Sequence, residues 1–203
     1  MRLLFSMFIA YLIGAIPTGY LFTKYKKDID LRTYGSGNIG ATNVLRAAGK
    51  VAAFFTLLLD IFKGFVAVTF LADMLYSFRM NIGYPHYQVL LAFSVVVGHN
   101  WPIFLNFKGG KGIATSAGVL LGLCPRLLVI GLCIWVLIFV FTKIVSLSSI
   151  ISAMTIPVAS YFYVYDGSIR FLTIALAILT IIRHRANIKR LIKKEEKKIS
   201  VKI

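Results

Sequence analysis

The chain has 203 residues, is 59% hydrophobic and 15% charged, and combines a formal charge of +16 with a mean hydropathy of +0.83. These values lie well outside those of soluble domains and place it among integral membrane proteins. At this length it supplies several spans of about 20 residues each, which leaves no room for a separate soluble domain, so one compact membrane domain over 1–203 is expected.

The first apolar run predicts a span at 3–23. A single leading cation and the lack of a convincing small-x-small cleavage site argue for a retained span and against a signal peptide. Next comes a polar stretch at 35–46, with Ser36, Asn38, Thr42, Asn43 and Arg46 in one loop. A guanidinium holds phosphate through paired hydrogen bonds, and the hydroxyls and amides suit a polyol or phosphate ester. Asn38 or Thr42 also fits as the cap of a helix running through Asn43 and Arg46, a role compatible with binding.

The second span is predicted at 51–75, with Asp60 and Lys63 near its middle. Ionisable groups are expensive there unless paired, and their spacing of three favours a mutual ion pair over a proton path. His86 lies in the loop that follows and carries no signal. The third span, 86–105, contains His99, which is read as ordering the next loop through a hydrogen bond across helices.

That next loop is part of the second polar stretch, 98–115, which holds Lys108-Gly109-Gly110-Lys111-Gly112 and ends at Thr115. Glycines free backbone N–H groups to face a ligand, the following helix start favours anions, and two lysines add full charges. This is a phosphate cradle, although a flexible turn with two snorkelling lysines fits the segment equally well when it is taken alone. It is not a nucleotide P-loop, since Gly112 replaces the Ser or Thr after Gly-Lys and Leu105 stands where a glycine is required.

Further spans are predicted at 113–125, 126–143, 145–165 and 168–183, the first of them short for a hydrocarbon core. Cys124 and Cys133 sit in apolar surroundings without metal-ligand spacing and read as packing residues. Small residues at Ala15-x-x-x-Gly19 and Gly118-x-x-x-Gly122 suit close helix packing. The third polar stretch, 183–191, places Arg183, His184, Asn187 and Arg190 on one face of a helix continuing from the last span. A basic tail, 184–203, closes the chain.

With the N-terminus outside and seven crossings, all three polar stretches fall on the inner side. That side also receives Lys24, Lys26, Lys27, Arg32, Lys50, Lys143 and the tail cations through Lys202, while Arg2, Arg79, Arg126 and Arg170 fall outside. The asymmetry matches positive-inside orientation. Much of the net charge therefore reports topology and attraction to anionic lipid headgroups, and no nucleic-acid partner is indicated.

Several chemistries are missing from the pattern. Asp28, Asp30, Asp73 and Asp166 are scattered and form no acid/base pair, and there is no nucleophile elbow or metal cluster. Five positions after His86, His99 and His184 stand Leu91, Phe104 and Lys189, so the His-x-x-x-x-Asp arrangement of many acyltransferases is absent as well. No cofactor and no obligatory protein partner are indicated.

Three motifs in order, Ser36-Gly37-Asn38-Ile39-Gly40-Ala41-Thr42-Asn43 through Arg46, Gly98-His99 through Thr115, and Arg183-His184 through Arg190-Leu191, carry a resemblance. The chain resembles the bacterial acyl-phosphate:glycerol-3-phosphate acyltransferase family, known as PlsY, over essentially its whole length. The resemblance implies an all-α bundle of seven transmembrane helices in the plasma membrane, its N-terminus outside, its C-terminus and active site cytoplasmic. It implies acyl transfer from acyl phosphate to the 1-hydroxyl of glycerol 3-phosphate, giving lysophosphatidic acid and phosphate. Ser36, Arg46, Lys111, His184 and Asn187 would handle the polar groups, and the glycine loop the acyl phosphate. One departure stands out: Lys194 replaces the family's glycine two positions before Glu196, which bears on the tail's local turn.

An acyl phosphate is already an activated anhydride, so aligning it with an alcohol and stabilising the developing charge is sufficient chemistry, with no protein nucleophile. The competing class is a transporter of phosphate or a small organic anion. Clustering of the motifs on one face favours an interfacial enzyme, because a transport path places polar groups near the midplane.

Overall fold

The computed structural model describes residues 1–77, 80–163 and 167–199, and every regular element among them is helical. Arg79, Asp166 and Lys202, which enter the charge and carboxylate arguments above, lie outside the described residues. The chain forms two compact units, Met1–Leu123 and Cys124–Ile203.

In the first unit, α1 (Arg2–Ala15) and α2 (Thr18–Lys27) together make the first apolar span. The break between them has a local cause: Pro17 has no N–H to donate and pushes Ile16 into an extended conformation, φ −58° and ψ 115°. Ala15 and Gly19 therefore do not share a continuous helix face, contrary to the spacing argument. α3 (Ala41–Val68) begins ten residues earlier than the predicted span because it is two helices in series. At Gly49 the backbone takes φ 85°, a left-handed value, while a Cβ there would meet nothing within 4 Å. Backbone conformation, not crowding, thus demands glycine at this joint. The joint separates a short polar turn carrying Thr42, Asn43 and Arg46 from the apolar stem that starts where the span was expected.

After Thr69 come α4 (Phe70–Leu75), then α5 (Tyr84–Asn100), a 3-10 turn (Ile103–Leu105) and α6 (Ile113–Leu123). α1 packs on α5, and α3 packs on α2, α5 and α6. The α3–α6 contact is backbone to backbone: a Cβ on Gly64 would lie 2.1 Å from the Thr115 carbonyl oxygen, and one on Gly118 would lie 1.8 Å from that of Ile61. Small residues give lipid-embedded helices this approach, where the hydrophobic effect adds little to helix association. Beneath the first polar loop, Leu31, Ile39, Val44, Ala48, Ala52 and Leu105 form a buried apolar base.

The second unit comprises α7 (Pro125–Thr142), α8 (Val145–Tyr163), α9 (Gly167–Arg183) and α10 (Arg185–Ile192). α8 packs between α7 and α9 and is tied to α7 by Ser152, whose hydroxyl donates to the Gly131 carbonyl at 2.7 Å, and by Trp135, whose indole N–H donates to Ser149 at 3.1 Å. Cys124 is buried and Cys133 exposed, and both are free of disulfides.

Five helical stretches are long and apolar enough to cross a bilayer: Arg2–Lys27, Ala41–Leu75, Tyr84–Leu105, Pro125–Thr142 and Val145–Tyr163. α9 and α10 qualify only as a pair bent by 62°. α6 has 11 residues, a rise of roughly 16 Å against a hydrocarbon core of about 30 Å. The membrane-embedded, all-helical class holds.

Candidate active site

The first polar loop is built around one buried side chain. Asn43, 1% exposed, accepts a hydrogen bond from the Ser36 N–H through Oδ1 at 3.1 Å. Its Nδ2 donates to the carbonyls of Tyr34 at 2.9 Å and Leu31 at 3.3 Å. The loop thus closes on the first turn of α3, with Ser36 and Arg46 exposed on it. A second staple precedes it: Asp30 accepts from the Arg32 backbone and guanidinium, the latter at 2.7 Å, and these bonds hold its carboxyl at about 2. The helix through Asn43 and Arg46 is present, but neither Asn38 nor Thr42 caps it. Gly40 is the cap residue, without a side-chain bond, and Asn38 Oδ1 instead accepts from the Gly40 N–H at 2.9 Å. The other end of Asn38 reaches across 71 residues: its Nδ2 donates to the Gly109 carbonyl at 3.4 Å. The first two polar stretches therefore meet.

Where the third span was drawn as continuous to 105, α5 stops at Asn100, and Trp101-Pro102 turns the chain. Tyr11 donates to the Trp101 carbonyl at 2.8 Å and fixes that turn on α1. Two consecutive left-handed residues, Asn106 (φ 51°) and Phe107 (φ 61°), then reverse the backbone, and the Gly110 N–H donates back to the His99 carbonyl at 3.0 Å. Gly109, Gly110 and Gly112 are buried, Lys111 is half-buried and Lys108 is exposed. Gly112 (φ 80°) leads directly into α6, so the loop's cations and the helix start sit together. At this joint the fully buried Asn100 amide lies against Gly112, and among the described residues neither it nor the buried Thr115 hydroxyl has a hydrogen-bond partner. Buried polar atoms are seldom left so, and they give the loop unspent hydrogen-bonding capacity.

Below the loop lies a buried ionic knot. Asp60 and Lys63, 2% and 6% exposed, pair at 2.8 Å, as their spacing predicts. Lys63 also donates to the Ile16 carbonyl at 3.1 Å and contacts His99 Nδ1 at 2.9 Å, while the Thr18 hydroxyl donates to Asp60 at 2.7 Å. His99 thus ties α5 to the knot.

The second unit carries the third stretch. The predicted continuous helix is overturned: α9 ends at Arg183, and the axis bends 62° at His184 before α10. The polar stripe is redistributed accordingly. His184 is buried, and its Nδ1–H donates to the Thr180 carbonyl at 2.8 Å. Asn187 and Arg190 turn instead to Glu196, Asn187 Nδ2 donating at 2.6 Å and Arg190 Nε at 2.6 Å. Ser146, at the start of α8, donates to the same carboxylate at 2.8 Å. Burial pushes the Glu196 carboxyl up, but the bonds from Arg190, Asn187 and Ser146 outweigh it, and the net shift is below the ordinary value of 4.5. Ser146 had no signal in the sequence beyond being one of several serines in an apolar run. Among the described residues no group of three His, Cys, Asp or Glu side chains is placed to hold a metal.

Residues 4–194 match the family model described as glycerol-3-phosphate acyltransferase. The glycerol-3-phosphate acyltransferase of Endomicrobium trichonymphae is 45% identical over 95% of this chain and 94% of its own. That of Thermoanaerobacter sp. (strain X514) is 46% identical over 96% and 94%. Crystal structures of PlsY, an integral membrane glycerol 3-phosphate acyltransferase, superpose with TM-scores of 0.89 for the glycerol 3-phosphate form and 0.87 for the lysophosphatidic acid form. Both are 34% identical and cover 98% of this chain and 96% of theirs.

Proposed function

We propose, because this chain belongs to the glycerol-3-phosphate acyltransferase family, that it moves a fatty acyl group from acyl phosphate to the 1-hydroxyl of glycerol 3-phosphate. It is an integral membrane acyltransferase. The products are lysophosphatidic acid and inorganic phosphate, and the reaction is the first acylation of phospholipid synthesis. The observation that carries this reading is the full-length likeness to a membrane acyltransferase crystallised in both glycerol 3-phosphate and lysophosphatidic acid forms.

The enzyme is one seven-helix domain in a bacterial plasma membrane, N-terminus outside, with the tail 184–203 and the active site on the cytoplasmic face. In the first unit Ser36, Arg46 and Lys111 bind phosphoryl and hydroxyl oxygens, helped by Asn38, Thr42, Asn43, Lys108, Thr115 and the turn formed by Gly109, Gly110 and Gly112. In the second unit His184 and Asn187 hold glycerol 3-phosphate, with Arg190 and Glu196 supporting Asn187. The alcohol oxygen attacks the carbonyl carbon, the new ester C–O bond forms as the anhydride C–O bond breaks, and phosphate leaves carrying the electron pair. Fixed cations and N–H donors stabilise that charge. The hydroxyl proton passes to a substrate phosphate oxygen, while His184 helps to orient the hydroxyl.

Purified protein supplied with acyl phosphate and glycerol 3-phosphate should release phosphate only when both are present. Flux of phosphate into sealed vesicles without turnover would instead mark a transporter. His184→Ala should keep measurable single-turnover acyl transfer at saturating glycerol 3-phosphate, and complete loss with substrate binding intact would make histidine the base.

A further inference from the structure

The knot lies beneath the glycine loop, bears on it at Gly110, and joins four parts of the first unit. Lys63 has three N–H donors and three acceptors around it: Asp60 Oδ1 at 2.8 Å, His99 Nδ1 at 2.9 Å and the Ile16 carbonyl at 3.1 Å. Asp60 is held in turn by Thr18 at 2.7 Å, so both sides of the α1–α2 break are engaged. His99 Nδ1 also lies 3.5 Å from Asp60 Oδ1, so both members of the ion pair meet one edge of the ring, with Nε2 on the opposite edge. That edge faces the loop: the three atoms nearest a Cβ placed on Gly110 are His99 Nε2 at 1.9 Å, Cε1 at 2.7 Å and Cδ2 at 2.8 Å. The Gly110 N–H also donates to the His99 carbonyl, and Gly109 lies flat against the same turn, 2.3 Å from the His99 carbonyl oxygen by the same measure.

A buried ion pair in a membrane span is a poor source of stability compared with an apolar replacement, but it fixes geometry. We propose that Asp60, Lys63 and His99 form a positioning network that sets where the glycine loop presents its N–H groups and Lys111 to the acyl donor, with the His99 ring as the part that bears on the loop. The inference rests on the reading that this loop takes acyl phosphate. None of the three side chains is a catalytic residue.

The test uses the full chain purified in detergent, with palmitoyl phosphate and glycerol 3-phosphate varied independently. Lys63→Met and His99→Ala should raise KM for palmitoyl phosphate about tenfold or more, in line with an ångström-scale displacement of a binding loop, and leave KM for glycerol 3-phosphate within about twofold. Gly110→Ala should impose the same defect, and Gly110→Ala combined with His99→Ala should recover part of it, because the methyl takes the space of the ring. His99→Asn makes the same comparison if His99→Ala does not fold. Hydrogen exchange over residues 107–112 reads loop placement without substrate: faster in each single variant, slower again in the double. Equal changes in both KM values, a change in kcat alone, or a double variant no better than Gly110→Ala would overturn the network. Wild-type protein that gives no phosphate release from palmitoyl phosphate, with the exchange pattern intact, would overturn only the functional reading.

Discussion

Asn43 shows how one side chain organises a motif. Its three hydrogen bonds close the loop over residues 31–36, and alanine would leave the Ser36 N–H and two carbonyls without their partner. Such truncation costs about 2 kcal/mol. Asn43→Ala should therefore lower the melting temperature and reduce kcat/KM for both substrates, as read by thermal unfolding and steady-state rates, even though Asn43 is buried. Sequence spacing marked Asn43 as polar and out of place in a membrane protein, but it could not separate a binding amide from a bracing one, because that depends on which backbone groups the loop folds over it. Glu196 poses the same problem in a sharper form. Its carboxylate gathers Ser146, Asn187 and Arg190, partners 50, 9 and 6 residues away. A carboxyl held below its ordinary value when folded contributes stability that is complete above that value and is lost as pH falls through the folded one. Exchange protection of residues 185–192 should accordingly be flat above about pH 5 and drop below the ordinary carboxylate value of 4.5. Glu196→Gln should abolish that acid-side drop and cost activity about tenfold at neutral pH through misplacement of Asn187.

Among the elements, apolar runs point to the long helices, since hydropathy reports burial in lipid directly, whereas α10 lies in the basic tail and has no such run. Breaks within runs were less legible. The kink at Gly49 and the bend at His184 arise where backbone conformation departs from helical for a few residues, a change too short to alter the apolar pattern. Proline marks two breaks, Pro17 between α1 and α2 and Pro102 after α5. The turn after α10 was flagged by Lys194, and the structure shows how the chain copes. The Glu195 N–H donates to the Arg190 carbonyl at 2.8 Å and the Lys194 N–H to that of Leu191 at 3.0 Å, the two bonds of a Schellman cap. Lys194 occupies the left-handed position at φ 57°, where glycine is favoured. The turn that brings Glu196 back to Asn187 is thus kept at the expense of strain, about 1 kcal/mol for an L-residue. Lys194→Gly should relieve it. The measurement is slower amide exchange across residues 185–196 at unchanged kcat, whereas faster exchange would show that the lysine conformation is unstrained.

For the whole molecule, the decisive property is which side of the bilayer each polar stretch faces. The first two stretches are joined by the Asn38–Gly109 hydrogen bond, so they must share a side whatever the number of crossings. The third lies in the other unit, and the positive-inside rule predicts the inner side for it. Lysine and arginine are retained on the inner face during insertion, and the tail is dense with them. α6 decides the parity, because its 11 residues fall short of a full crossing, and an element that returned to the side it entered would reverse everything after it. Cysteine labelling resolves the matter in a Cys124→Ser/Cys133→Ser background. Ser36→Cys, Lys108→Cys and Lys193→Cys sit at exposed positions in the three regions, and Arg2→Cys and Arg126→Cys report the opposite face. In intact cells a membrane-impermeant maleimide should modify the last two and spare the first three until the membrane is opened. Modification of Lys193→Cys from outside, with Ser36→Cys and Lys108→Cys protected, would put the tail on the face opposite the first two stretches and overturn the predicted orientation.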